Sequence, residues 1–264
     1  MADPISIVPI GGLCNRINSI LCAIATHEQL GYNFNIYWHN NSELRADFLD
    51  LFQPIHMPGI TISPLKGRIL LPGGRLSPIM DFVRKLEFDH CYHGSKISND
   101  DFRKYTHGKV YIQTSNRFSP YSLDEIDTYF KPINSIRQQI DEITATFKNT
   151  FGLHIRRTDN TKAIEESNDA KFFARTDQML EADPDSTFFL ATDDLQVKES
   201  YRIRYGEKVI TNDSDLSRAT LKGMKNAVID LWCLGACKYI LGSAASTYSS
   251  CAAKIYGKQL YIVK

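Results

Sequence analysis

The sequence lacks an excess of charge of either sign. It has 31 Lys and Arg against 30 Asp and Glu in 264 residues, which gives a formal net charge of +1. Domains that bind nucleic acid usually carry a clear basic excess, so this balance argues against nucleic acid as the main partner. Hydrophobic residues make up 43% of the chain. The composition therefore suits one large or two modest globular domains with a real core.

Membrane and secretion signals are also missing. No apolar run is long enough to span a bilayer, so we expect no transmembrane segment. The first four residues, Met-Ala-Asp-Pro, contain neither the basic nor the apolar part of a signal peptide. None of the six cysteines forms a Cys-x-x-Cys pair. This cysteine usage is typical of free thiols in a reducing compartment, and we expect a cytoplasmic protein.

Metal-binding patterns are weak. Cys233 and Cys237 lie one helical turn apart and could share a metal ion, but no histidine lies near them in the sequence. Two Asp-x-Asp stretches, at residues 183–185 and 213–215, could hold Mg²⁺ or Mn²⁺ on a nucleotide sugar. Both have the composition of turns or loops. We therefore expect no metal site.

Strand-like and helix-like patterns alternate along the chain, which predicts an α/β fold with parallel sheets. A helix is predicted to begin at Pro132 and to end just before the next strand, so we place a domain boundary near residue 149. Residues 53–80 are rich in Pro and Gly and are predicted to be irregular. We expect two Rossmann-like domains, residues 1–149 and 150–264, whose sheets face a central cleft. Strands are predicted at residues 5–10, 35–38, 110–113, 150–155, 187–191, 208–210, 239–241 and 260–263, and helices at 15–30, 132–147, 170–181, 221–236 and from 248.

An arginine pair follows the most strand-like stretch of the second half. Alternating Phe151, Leu153 and Ile155 predict a buried strand that ends at Arg156 and Arg157. Open α/β sheets bind ligands at the carboxyl ends of their strands. Guanidinium groups hold phosphate oxygens in pairs, so the arginines could clamp a diphosphate. The alternative is a pair of ordinary surface ion pairs.

Two small-residue loops are further candidates for phosphate binding. Residues 11–16, Gly-Gly-Leu-Cys-Asn-Arg, lie between a strand and a helix, where backbone N–H groups favour an anion. The alternative is a tight turn, since both the dinucleotide fingerprint and the P-loop are missing. Ser246 and Thr247 precede the last helix, where they could bond a phosphate or simply cap the helix.

Asp230 is an acid inside a predicted helix, next to Leu231 and Trp232. A carboxylate buried without a partner is unusual. Asp230 could accept hydrogen bonds from a purine base, or it could be an exposed helix carboxylate.

Several of these stretches resemble the motifs of one known family. His154-Ile155-Arg156-Arg157-Thr158-Asp159 is similar to the His-x-Arg-Arg-x-Asp motif of the GDP-fucose-dependent fucosyltransferase superfamily, which includes α1,6-, α1,2- and protein O-fucosyltransferases. The loop at residues 11–16 resembles that family's N-terminal Gly-rich loop, although Cys14 stands where members often have Gly. Residues 191–194 and 230–250 resemble its later motifs in order and spacing.

The resemblance implies a GT-B fold and an inverting, metal-independent glycosyltransferase that uses no cofactor. It would transfer fucose from GDP-fucose to a glycan acceptor. Residues 1–149 would form the acceptor-side domain, and residues 150–264 would bind the nucleotide sugar. The first half is hard to match otherwise, so the acceptor stays open. A transferase of another nucleotide sugar, or a non-catalytic nucleotide- or glycan-binding protein, is the alternative.

The resemblance also implies roles for single residues. Arg156 would bind the diphosphate and stabilise its charge as the glycosidic bond breaks, with help from Arg157. Asp159 and Glu165 are the candidates for the general base. The expected catalytic residues are Arg156, Arg157 and Asp159, and the expected substrate-binding residues are Gly12, Asn15, Arg16, His154, Asp193, Asp230, Ser243, Ser246 and Thr247.

Overall fold

A computed structural model describes residues 3–67, 70, 77–93, 107–158, 161–212 and 215–264. Within these residues, ten strands form two five-stranded sheets in which neighbouring strands are parallel. The chain divides into two compact units. The N-terminal unit comprises residues 1–123, 129–131 and 218–221, and the C-terminal unit comprises residues 124–128, 132–217 and 222–264.

The N-terminal sheet has the strand order β3-β2-β1-β5-β4. Its central strand β1 is buried along its whole length, as expected for a parallel strand covered on both faces. The strands are β1 (Ile5–Pro9), β2 (Phe34–Trp38), β3 (Ile60–Pro64), β4 (His90–His93) and β5 (Val110–Thr114), and the helices are Leu13–Leu30, Phe48–Leu51 and Ser77–Glu87.

The prediction of irregular structure over residues 53–80 is wrong in two places. The strand β3 and the beginning of the helix Ser77–Glu87 both fall within this range. Gly59 and the prolines around β3 look like breakers in the sequence, yet Gly59 takes φ +81° in the turn that leads into the strand. Backbone pairing of β3 with β2 compensates for this local composition.

The C-terminal sheet has the order β10-β9-β6-β7-β8, so β6 lies at its centre. Because all five strands are parallel, their carboxyl ends meet at one edge, which we call the carboxyl edge. The strands are β6 (Thr150–Ile155), β7 (Thr187–Thr192), β8 (Val209–Ile210), β9 (Ile240–Gly242) and β10 (Leu260–Ile262). The helices are Asn134–Thr144, Thr161–Glu166, Asp169–Ala182, Leu195–Tyr205, Leu221–Ala236 and Thr247–Ile255, and the short helix Ile126–Tyr129 contributes to both units.

The core of this second sheet follows from the alternation in β6. Leu153 and Ile155 are fully buried against Phe172, Phe188 and Leu190 on one face. Side chains at the intervening positions point to the other face. His154 therefore faces away from this cluster, towards the helices that precede and follow β9.

Helix prediction in the C-terminal unit is partly wrong. The helix Leu195–Tyr205 is absent from the prediction because its apolar residues form no single stripe: Leu195 and Ile203 are exposed while Val197 and Tyr201 are buried. The helix Thr161–Glu166 is also missing from the prediction, and the helix expected at Pro132 begins at Asn134. Within the described residues, no helix combines the length and the apolarity needed to cross a membrane.

Candidate functional site

Two of the predicted site stretches are joined directly at the carboxyl edge. The backbone N–H of Arg156, just after β6, donates to Oγ of Ser243 at 3.1 Å. In return, the backbone N–H of Ser243 donates to the carbonyl of His154 at 3.0 Å. Ser243 is fully buried. These bonds fix the start of the arginine loop against the loop that follows β9.

The second arginine directs its side chain at protein atoms. Nε of Arg157 donates to Oδ1 of Asp169 at 2.8 Å, and Nη1 donates to the carbonyl of Arg156 at 2.8 Å. The guanidinium lies 5.9 Å from the centre of the Phe172 ring, and the side chain is 9% exposed. Arg157 therefore holds the loop together, and Arg156 directly follows the carboxyl end of β6.

Asp193, expected among the substrate-binding residues, also braces this loop. Its carboxylate accepts the backbone N–H of Arg157 at 2.7 Å and the hydroxyl of Thr158 at 2.6 Å. The neighbouring Asp194 caps the helix Leu195–Tyr205 by accepting the N–H of Gln196 at 2.7 Å. Asp159 lies outside the described residues, and Glu165 is exposed on the helix Thr161–Glu166.

His154 is buried at the end of β6. Its ring stacks on Tyr248, with 4.9 Å between centroids and 25° between planes. Burial lowers the pKa of His154 to about 4, so the imidazole is neutral at pH 7. Nδ1 has no hydrogen-bond partner within the described residues. The Tyr248 hydroxyl donates to the carbonyl of Ala227, which connects His154 to the helix that carries Asp230.

Asp230 is buried, so the interpretation as an exposed carboxylate is wrong. Burial raises the pKa of Asp230 to about 7, although the charge of Lys198 and the nearby Asn212 side chain act to lower it. Lys198 donates to the backbone carbonyl of Asn212 at 2.6 Å. Because Lys198 and the Asn212 side chain both act on Asp230, the middle of the helix Leu221–Ala236 lies beside the segment that follows β8. Among the described residues, Oδ1 of Asp230 makes no hydrogen bond of normal geometry, although the Asn212 side chain lies close enough to the carboxylate to lower its pKa.

The loop after β9 is closely packed and locally strained. At the end of β9, a Cβ on Gly242 would lie 2.7 Å from Oγ of Ser249, so the chain needs glycine where this loop begins. Ala245 adopts φ +50°, which is uncommon for a residue other than glycine. Ser246 stands at the N-cap of the helix Thr247–Ile255 but makes no capping hydrogen bond, so the capping interpretation is wrong for its side chain. Thr247 is exposed.

Five buried side-chain atoms share an unusual property. They have no hydrogen-bond partner in the part of the chain that the structure describes, whereas buried polar groups are nearly always paired. All five belong to the C-terminal unit, on segments at or beside the carboxyl edge. They are Nδ1 of His154, Oγ1 of Thr211, Nδ2 of Asn212, Oδ1 of Asp230 and Oγ of Ser246. We call them the unpaired set.

Sequence reasoning missed Thr211 and Asn212. They follow β8 directly, just as Arg156 follows β6. The rule that predicts ligands at strand ends applies to them too. A strand is predicted at residues 208–210 and β8 is observed at Val209–Ile210, so the same rule could have found both residues.

The N-terminal loop has a different character. Arg16 is fully buried, with Nε donating to the carbonyl of Gly11 at 2.8 Å, Nη2 to Asn41 at 3.0 Å and Nη1 to the carbonyl of His39. The guanidinium lies 5.2 Å from the Trp38 ring centre. Burial lowers the pKa of Arg16 to about 10, so it stays charged at pH 7.

The backbone N–H at the start of this loop is also occupied. Gly11 takes φ +79° and donates to Oε2 of Glu43 at 3.1 Å, so a carboxylate already holds this N–H group. Gly12 is the N-cap of the helix Leu13–Leu30, with open space around its Cα, and Asn15 is half-buried. Arg16 thus packs within its own unit, while Gly12 and Asn15 line the accessible part of the loop.

The weak metal patterns find no support in the described residues. Within them, no group of three or more His, Cys, Asp and Glu side chains could hold a metal ion. Cys233 is buried in the helix Leu221–Ala236 and Cys237 just after its end; burial raises the pKa of both thiols, and Cys237 contacts the carbonyl of Cys233. Asp183 accepts the backbone N–H of Asp185 at 3.1 Å, as in a turn, and Asp213 lies outside the described residues.

Comparison with known proteins gives a likeness in structure. No protein-family model matches the chain, and no curated protein sequence matches it. A crystal structure of NodZ α1,6-fucosyltransferase soaked with GDP-fucose matches with a TM-score of 0.63 and 15% identity, over 96% of this chain and 92% of that one. Arabidopsis thaliana FUT1 in complex with GDP matches with a TM-score of 0.64 and 13% identity, over 99% and 70%. POFUT1 in complex with GDP matches with a TM-score of 0.57 and 12% identity, over 100% and 99%.

These matches confirm the predicted fold class. The chain has an α/β fold with two five-stranded parallel sheets, and solved fucosyltransferases share it over nearly the whole chain. At 12–15% identity the likeness establishes the fold alone. The residue roles must be argued from the site itself.

Proposed function

We propose that this protein is an inverting, metal-independent fucosyltransferase that moves fucose from GDP-fucose to a glycan acceptor. The observation that carries the proposal is the unpaired set on the segments at or beside the carboxyl edge, the edge where Arg156 also lies. Buried donors and acceptors without partners are costly, so such a cluster is expected where a polar ligand completes the hydrogen bonding. A nucleoside diphosphate offers a base, a ribose and two phosphates for these groups and the arginine.

The proposed division of labour follows the chemistry of each group. Arg156 binds the diphosphate and stabilises its negative charge as the glycosidic bond breaks. The Asp230 carboxylate accepts hydrogen bonds from the N–H groups of guanine, and neutral His154 positions the nucleotide. Ser243 holds the arginine loop, and Ser246 and Thr247 contact phosphate oxygens. The general base is Asp159 or Glu165.

The wider organisation is part of the same proposal. Residues 150–264 bind the donor, and residues 1–149 supply the acceptor side, with Gly12 and Asn15 on the accessible part of a loop that the buried Arg16 holds in place. The six free cysteines, five of them buried, are typical of a reducing compartment and support a cytoplasmic location.

Isothermal titration calorimetry with GDP tests the donor site. Wild-type protein is expected to bind GDP, and Arg156→Ala is expected to weaken binding by about 1.5–3 kcal/mol, because a charge-assisted contact is lost. Arg175→Ala removes an exposed arginine of the helix Asp169–Ala182 and is expected to leave binding unchanged. Absence of GDP binding by the wild type would refute the proposal.

Turnover separates the enzyme from a binding protein of the same fold. Release of fucose from GDP-fucose, with or without an acceptor, is expected for wild type and not for Arg156→Ala. GDP-mannose and UDP-sugars serve as competing donors. GDP binding without release from any donor would indicate a non-catalytic protein, and faster release from another nucleotide sugar would change the donor.

A further inference from the structure

The peptide groups on both sides of the Arg156 Cα are held by other residues. Before it, the N–H of Arg156 donates to Ser243. After it, the carbonyl of Arg156 accepts Nη1 of Arg157, and the N–H of that same peptide group donates to Asp193. The backbone therefore fixes the direction in which the Arg156 side chain leaves the loop.

Nη1 of Arg157 can stay on the Arg156 carbonyl because the Asp169 carboxylate fixes the Arg157 guanidinium. Both Nε and Nη2 of its guanidinium donate to Oδ1 of Asp169. Asp169 is the first residue of the helix Asp169–Ala182, whose N-cap Asn168 accepts the N–H of Lys171 at 3.1 Å. The anchor point is thus a capped helix end rather than a flexible loop.

This ion pair joins a nearly buried guanidinium to a half-exposed carboxylate. The Arg157 side chain is 9% exposed and the Asp169 side chain 49%, so Asp169 satisfies donors that few other groups could reach. The pair also fixes a single orientation of the Arg157 fork, which is long and flexible when unpaired. Preorganised groups bind charge better because no reorganisation is needed when the ligand arrives.

We infer that Asp169 is a positioning residue: through Arg157 it orients Arg156 for the diphosphate of the donor. This inference rests on the proposed function. Asp169 makes no contact with the ligand. Its effect is confined to the part of the donor that Arg156 touches, so the nucleoside part binds independently of it.

Calorimetry with two ligands tests the inference. Asp169→Asn is expected to weaken GDP binding by about tenfold while leaving the affinity for guanosine unchanged, because guanosine lacks the phosphates. Asp177→Asn is the matched control: it removes a carboxylate of the same helix that pairs with Arg204 at 2.6 Å. Both ligands are expected to bind Asp177→Asn as they bind the wild type.

A second variant tests the link through Arg157. Arg157→Lys keeps the charge but removes the fork that joins Asp169 to the Arg156 carbonyl, so it should reproduce the Asp169→Asn pattern. In the Arg157→Lys background, Asp169→Asn should then cause little further loss. This variant also serves if Asp169→Asn fails to fold.

The outcomes separate the two proposals. Wild type without GDP binding would overturn the proposed function. GDP binding that falls in Arg156→Ala but not in Asp169→Asn would overturn the positioning role alone. Equal weakening of GDP and guanosine in Asp169→Asn would also overturn it, since that pattern is the mark of a general structural role.

Discussion

The two sheets use the space beyond their central strands in opposite ways. After β1, the Arg16 guanidinium is fully buried and donates to Gly11, His39 and Asn41. Around the end of β6, buried polar atoms lack partners, as the unpaired set shows. Within the described residues, no atom of that kind belongs to the N-terminal unit.

This difference distinguishes a loop that a buried arginine stabilises from a loop that binds a ligand. Both loops have polar residues at a strand end, and the sequence predicted an anion site in each. They differ in whether the buried polar atoms in and around them have hydrogen-bond partners. The first loop is completed by the protein's own atoms, so its cost of burial is met without a ligand. The arginine loop after β6 is also braced by protein atoms, but the unpaired set on the segments around it leaves donors and acceptors for something else to bind.

The largest expected effect is on stability, and it tests whether the two arginines really differ. Arg16→Ala removes a buried side chain and strands three acceptors, so we expect the free energy of unfolding to fall by about 3 kcal/mol or more. Arg156→Ala should lower it by less than Arg16→Ala does, because the Arg156 side chain is only partly buried. Urea denaturation of both variants measures this contrast. Similar losses in the two would mean that the arginines are equally structural.

The next effect is the pH dependence of GDP binding. In the proposed site Asp230 accepts hydrogen bonds from guanine only as a carboxylate, and burial raises its pKa to about 7. GDP affinity should therefore fall by about tenfold as the pH drops from 8 to 6. His154 does not titrate in this range, because burial lowers its pKa to about 4. Calorimetry across this range, with Asp230→Asn as control, should show weak and pH-independent binding for the variant.

Ionisation of Asp230, which should favour GDP binding, should lower the stability of the ligand-free protein. Because the folded-state pKa of Asp230 is raised, its contribution is most favourable below the unfolded value and is lost as the pH rises through about 7. Asp230→Asn without GDP should therefore melt at least as high as the wild type at pH 8. A lower Tm for the variant at pH 8 would show that the carboxylate is paired in the folded protein.

Sequence patterns predicted the helices and strands whose apolar residues are regularly spaced. The helix Leu221–Ala236 and the strand β6 have the predicted bounds, because their apolar residues follow one face or alternate. The strand β3 and the helix Leu195–Tyr205 escaped prediction because sheet pairing and capping by Asp194 stabilise them despite weak patterns.

Residue identity alone could not divide the site residues by role. Asp193, Arg157 and Arg16 are polar residues near strand ends, yet the structure shows them bonded to loops of their own unit. Thr211 and Asn212 look like ordinary loop residues until their burial is known. Long-range contacts decide these roles, and a single sequence does not contain them.

The smallest expected effect is a difference in stability between variants at the N-termini of two helices in the C-terminal unit. Asp194 caps its helix, so Asp194→Ala should lower the free energy of unfolding by about 1 kcal/mol. Ser246 makes no capping bond, so Ser246→Ala should leave stability nearly unchanged and weaken GDP binding by about three- to tenfold, the value of one hydrogen bond. Thermal melts with and without GDP measure both. If Ser246→Ala destabilises the ligand-free protein as much as Asp194→Ala does, its hydroxyl serves the fold and does not belong to the binding site.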